Sequence, residues 1–105
     1  MKRVAALPLL LLTACGPPTS GRPVEELYAD HCARCHGDDG RGDPRQLPLA
    51  PALDLTRSTL IARRARGALY RRIQQGQDTM PAFGHKLPQG DIELLVDYVM
   101  RFQAR

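Results

Sequence analysis

The stretch Cys32-Ala33-Arg34-Cys35-His36 decides how this chain reads, because C-x-x-C-H is the attachment signature of a c-type haem. Residues three apart in a helical turn share a face, so the thiols of Cys32 and Cys35 can meet the two vinyl groups on one side of a porphyrin. The same turn carries His36 under the ring, where an imidazole can bind the iron as proximal ligand. Two other chemistries compete for these residues. A structural zinc needs four closed ligands, and beyond the motif the chain offers only Cys15, His31 and His85, with no second C-x-x-C or H-x-x-x-H pair. A thioredoxin-like dithiol needs the motif beside a strand-helix unit, and no alternating or β-branched run supplies one.

Upstream of the motif, Val24, Leu27, Tyr28, His31 and Cys35 recur at helical spacing, with Pro23 suited to a first turn and Glu25 and Glu26 favourable near the positive helix end. Downstream, Gly37 to Leu49 is crowded with glycine, proline and charge and predicts a loop. Pro48 to Leu53 is extended by its prolines. From Thr56 to Gly76 the chain is helical again, with Ile61, Ala65, Leu69 and Ile73 at intervals of four; Gly67 divides a short turn from a helix reaching Gln75, and Gly76 stops it. A second loop, Gln77 to Gln89, holds Met80-Pro81. The last helix runs from Asp91 to about Gln103 with the stripe Leu95, Tyr98, Val99, Phe102.

The amino end reads as an export signal. Lys2 and Arg3 form a positive region, and Val4 to Leu12 is an apolar run too short to span a bilayer. Leu12-Thr13-Ala14-Cys15 resembles a bacterial lipobox, in which cleavage precedes the cysteine and its thiol takes a diacylglycerol. The alternative is an ordinary secretory signal with Cys15 as a spare thiol. Either places the chain outside the cytoplasm. The expected organisation is a signal peptide over 1–14, a flexible tether over 15–22 and one domain over 23–105. That domain has no Trp and only two Phe, so a buried porphyrin would make up for its thin aromatic core. The net charge of +4 includes Lys2 and Arg3 and says little about partners.

With these features in place, Val24 to Gln103 resembles the class I mono-haem c-type cytochromes: a helix into C-x-x-C-H-G, a Gly-rich loop, a middle helix, a Met-Pro loop and a final helix. The resemblance implies an all-α, small cytochrome c fold of three to four helices around one covalently bound haem c. It implies Met80 as distal iron ligand, with His85 or Lys86 able to replace it at high pH; Met100, mid-helix, is a core filler instead. It also implies a backbone carbonyl accepting the Nδ1 proton of His36, for which Pro51 in Pro51-Ala52-Leu53 is the candidate and Pro48 the competitor. Tyr28 and Tyr98 match an aromatic pair where the first and last helices cross, although Val24 stands where a glycine commonly permits close approach. Leu49, Leu53, Leu69, Ile73, Phe83 and Leu95 are expected to form an apolar wall. His31 is expected to be a surface or packing residue.

These features together predict an electron carrier rather than an enzyme. It would shuttle one electron between periplasmic or membrane redox proteins, such as dehydrogenases, oxidases or reductases, as a monomer lipid-anchored at Cys15 on the periplasmic side of a bacterial membrane. Two alternatives stay open: a subunit fixed in one oxidase or dehydrogenase complex, and a haem gas sensor with a labile sixth ligand. Arg57, Arg63, Arg64, Arg66, Arg71 and Arg72 have no acid among them between Asp54 and Asp78 and read as a solvated helix face, with docking to an acidic partner as the second reading. Nucleic acid is not an expected partner of an exported protein.

Overall fold

The computed structural model describes residues 3–8 and 15–103. Part of the expected signal peptide, including the lipobox residues Leu12 to Ala14, falls outside them. Helix is the only regular structure among the described residues apart from one isolated bridge between Gln77 and Met80. The α-helices are α1 (Val24–His31), α2 (Ala33–His36), α3 (Thr59–Ala62), α4 (Arg66–Gln75) and α5 (Gln89–Val99), with 3-10 turns at Pro51–Leu53, Leu55–Arg57 and Met100–Phe102.

α1 starts at Pro23, which occupies the cap position, and Glu25 and Glu26 sit in the first turn where carboxylates suit the helix dipole. Leu27 and Tyr28 are its buried residues. α5 lies across it, burying Ile92, Leu95, Val96 and Val99. The rings of Tyr28 and Tyr98 meet at the crossing with centroids 4.9 Å apart, and Phe102 closes a trio at 5.4 Å from Tyr28 and 5.7 Å from Tyr98. Val24 in place of glycine does not prevent this pairing; it is half-buried and packs against the core.

The middle helical region divides at a different residue from the one its sequence suggests. Gly67 lies inside α4, and the break falls at Arg63–Ala65, where Arg64 adopts a left-handed conformation with φ 53. Ser58 sets where α3 begins, three residues after the expected Thr56: its hydroxyl caps the helix by accepting the Ile61 N–H at 3.2 Å. The turn then closes with the Ala65 N–H donating to the Leu60 carbonyl, which leaves Ile61 fully buried. α4 ends at Gly76 as expected, with φ 68 and its N–H on the Arg72 carbonyl.

Residues 15–22, expected as a flexible tether, are not free along their whole length. The Gly90 N–H donates to the Pro18 carbonyl at 2.8 Å. Asp91, fully buried, accepts the Ser20 N–H at 2.9 Å and the Ser20 hydroxyl at 2.6 Å. Arg22 then pairs with Asp30 on α1. Pro18 and Ser20 therefore lie against the first turn of α5, which offers a carboxylate that this segment satisfies.

Candidate functional site

Cys32 ends α1 and opens α2, so the motif occupies a single turn: the His36 N–H donates to the Cys32 carbonyl at 2.9 Å and the Cys35 N–H to the same carbonyl at 3.2 Å. This backbone places both sulfurs and the imidazole on successive steps of one helical wheel. Cys32 is buried and Cys35 half-buried, and neither is in a disulfide. Burial, and after it the charge of Cys35, pushes the free Cys32 thiol up to about 11, so it stays protonated at neutral pH. Among the described residues, no three His, Cys, Asp or Glu side chains gather to hold a metal on their own. The four-ligand zinc cage therefore has no counterpart there.

His36 is oriented by one bond. Its Nδ1 lies 2.9 Å from the Leu53 carbonyl oxygen. A carbonyl can only accept, so Nδ1 carries the proton and Nε2 keeps a free lone pair for a metal. The partner is Leu53, which corrects the expectation of Pro51 or Pro48. Pro51–Leu53 forms a 3-10 turn, and the Pro51 carbonyl is already taken by the Asp54 N–H at 3.2 Å. The carbonyl at the end of that turn faces His36 instead. Asp54 holds the next turn by accepting from the Thr56 hydroxyl at 2.5 Å and the Thr56 N–H at 3.0 Å. The Leu55 N–H donates to the Gly40 carbonyl at 2.7 Å, tying the segment back to the loop after the motif.

That loop folds over the motif's own carbonyls. The Gly42 N–H reaches the His36 carbonyl at 2.7 Å and the Asp43 N–H reaches Cys35 at 3.0 Å. Tyr28 adds a bond not evident in the sequence: its hydroxyl donates to the Gly37 carbonyl at 2.6 Å. The crossing tyrosine is thereby a clamp on the residue after His36. Burial pushes the Tyr28 hydroxyl well above the usual tyrosine range, so it remains a donor.

Met80 is carried by the second loop, half-buried and packed against the core. Gln77 and Met80 exchange backbone bonds at 3.1 and 2.8 Å. Beyond them the loop is fastened to the end of α4, with the Phe83 N–H on the Ile73 carbonyl at 3.0 Å and the Gly84 N–H on the Gln74 carbonyl at 2.9 Å. His31 packs its ring edge-on to Phe83 with centroids 5.6 Å apart, in the packing role expected of it. Leu69, Ile73, Phe83 and Leu95 are buried and Leu53 half-buried, but Leu49 is 95% exposed and does not join the apolar wall in this structure. Leu49 ends a turn whose N–H bonds point back to Gln46, which leaves its side chain outward.

The donor chemistry fits an iron porphyrin: two unoxidised thiols in one turn, an imidazole with its distal nitrogen free, and a thioether on a fastened loop. A helical frame of this kind with this site defines a c-type cytochrome, a haem electron-transfer protein. Residues 19–99 match the family described as cytochrome c oxidase, cbb3-type, subunit III, and the chain belongs to that family. It is 30% identical to cytochrome c6 of Bumilleriopsis filiformis over 78 residues, covering 72% of this chain and 84% of that protein. It is 27% identical to cytochrome c6 of Gracilaria tenuistipitata var. liui over 77 residues, covering 72% and 67%. Its fold matches the solved KustC0563 c-type cytochrome with a TM-score of 0.68 at 26% identity, covering 78% of this chain and 99% of the other.

Proposed function

We propose that this chain is a one-electron carrier in which Cys32 and Cys35 hold a single haem c and His36 and Met80 ligate its iron. The observation that carries this reading is the bond between His36 Nδ1 and the Leu53 carbonyl, because it orients the ring of the motif's histidine and leaves Nε2 available to a metal. A covalently held haem c supplies a one-electron iron couple. His36 would offer Nε2, strengthened as a donor by the proton it shares with Leu53. Met80 offers a thioether, which favours the reduced metal relative to a second imidazole. Leu69, Ile73 and Phe83, all buried, would keep water from the group, and His36 and Met80 together would leave its iron no position for a substrate.

We further assign Cys15, exposed and closing the lipobox-like Leu12-Thr13-Ala14-Cys15, as the lipid-bearing residue of an extracytoplasmic protein that works as a monomer with redox proteins of the membrane or periplasm. No helix among the described residues is long and apolar enough to cross a membrane. A second reading has a specific observation in its favour: the matched family is named for an oxidase subunit, which supports a fixed place in one complex. Ferric spectra and membrane purification test both. A sulfur-to-iron charge-transfer band at neutral pH, with slow CO binding to the reduced protein, is expected; an absent band with rapid CO binding would instead indicate a sensor or enzyme. Stoichiometric co-purification with one oxidase would favour the subunit over the shuttle.

A further inference from the structure

The segment between the lipid-bearing cysteine and the domain is clasped onto α5. Gly90 lets it approach: a Cβ at that position would stand 2.5 Å from Thr19 Cγ2 and 2.6 Å from the Pro18 oxygen. The Gly90 N–H holds the Pro18 carbonyl at 2.8 Å, and the Asp91 carboxylate is buried under Ser20, which donates both its N–H and its hydroxyl. A carboxylate out of water is tolerated only with such donors, so opening the clasp gives up two hydrogen bonds to a charged group and costs free energy. The segment thus has a preferred seat, not an arbitrary path.

We propose that this clasp is an orienting strap, which holds the start of α5 against the lipid surface and so presents one face of the domain to the bilayer. The proposal rests on lipidation at Cys15. Length decides its effect. With Pro18 fixed, the three steps from Cys15 extend at most about 11 Å, whereas a chain free as far as Pro23 would reach about 29 Å and let the domain tumble. The short leash keeps the α5 start within contact of the headgroups. The other end of α5 points away from that anchor, beside the α3–α4 turn: Arg66 pairs with Asp97, and the Gln103 amide reaches the Ile61 carbonyl at 3.4 Å. A partner held in the same membrane then meets a constant orientation.

The test uses the full-length, haem-loaded protein in lipid vesicles, with single added cysteines at the exposed positions Gln89→Cys and Arg64→Cys and a maleimide on a large polyethylene glycol as probe. On vesicles, labelling at 89 is expected to slow about fivefold or more relative to detergent, while labelling at 64 is unchanged. Adding Gly90→Ala, which favours helix but evicts the strap, is expected to abolish the slowing at 89 with the haem spectrum intact. Ser20→Ala gives a milder version without touching α5. Failure of the protein to float with vesicles would overturn the lipid assignment. Flotation with equal labelling at both positions, or slowing that survives Gly90→Ala, would overturn the strap alone.

Discussion

His36 Nδ1 and the carbonyl oxygen of Leu53 stand 2.9 Å apart across seventeen residues of sequence, and the segment bearing that carbonyl is braced on both sides. Before it, Pro51–Leu53 is wound into a 3-10 turn; after it, Asp54 caps the next. The imidazole is therefore oriented by backbone that is itself fastened, rather than by a mobile side chain. That arrangement favours the tautomer with the proton on Nδ1.

Replacing Met80 with alanine removes the thioether while leaving the loop's bonds to α4 in place. Met80→Ala is expected to give a high-spin ferric spectrum at neutral pH, converting to a low-spin form as His85 or Lys86 is recruited on raising the pH. CO should bind the reduced variant much faster than the wild type. A spectrum identical to wild type would remove Met80 from the ligand set.

Tyr28→Phe deletes the donor to the Gly37 carbonyl and is expected to cost about 1 kcal/mol in denaturant unfolding. The pH dependence follows from burial, which raises the folded hydroxyl above its ordinary value of 10.0. The folded state keeps a proton that the unfolded state releases, so this contribution is full below about pH 10 and falls as the pH rises beyond it. Alkaline unfolding curves should be less steep for Tyr28→Phe than for wild type.

Asp54 titrates at the other end of the scale. The Thr56 hydroxyl, chief among the causes, holds its carboxyl below the usual range; burial opposes it, and the Thr56 N–H and the charge of Arg57 add to the lowering. A depressed folded value stabilises above the unfolded one, near pH 4, and the benefit disappears as the pH falls through the folded value. Asp54→Asn should therefore lose stability at neutral pH and show a flatter acid limb, measured by thermal unfolding from pH 7 down to pH 2.

Gly40→Ala tests the seating of the loop on the helix crossing. Gly40 has φ 75, and a Cβ there would fall 2.6 Å from Phe102 Cδ1, inside the aromatic trio. Left-handed strain and the displaced ring together are expected to cost about 2–4 kcal/mol, read as a lowered melting temperature with the haem still attached.

Sequence periodicity revealed much of this molecule because its long helices are amphipathic. Leu27 and Tyr28 in α1, Leu69 and Ile73 in α4, and Leu95 and Val99 in α5 all lie on the faces their spacing assigned. The C-x-x-C-H turn was legible because its chemistry needs adjacent residues. What escaped depends on backbone groups whose availability only the fold decides. The carbonyl facing His36 is that of Leu53 because a 3-10 turn consumed the one on Pro51, and nothing in Pro51-Ala52-Leu53 announces a 3-10 turn. Arg64, rather than Gly67, breaks the middle region, since the Ser58 cap sets the register. The clasp of Ser20 on Asp91 joins residues seventy-one apart, beyond any local pattern.

The fastening of the Met80 loop bears on the speed of the protein's task. Phe83 and Gly84 hold that loop to Ile73 and Gln74 through main-chain bonds that do not involve the metal at all. With Met80 as the proposed ligand, a loop pinned by its own main chain would hold the thioether's backbone in place whatever the charge on the iron. On that proposal, a small domain with few aromatic residues would gain a low reorganisation energy from its loop fastening.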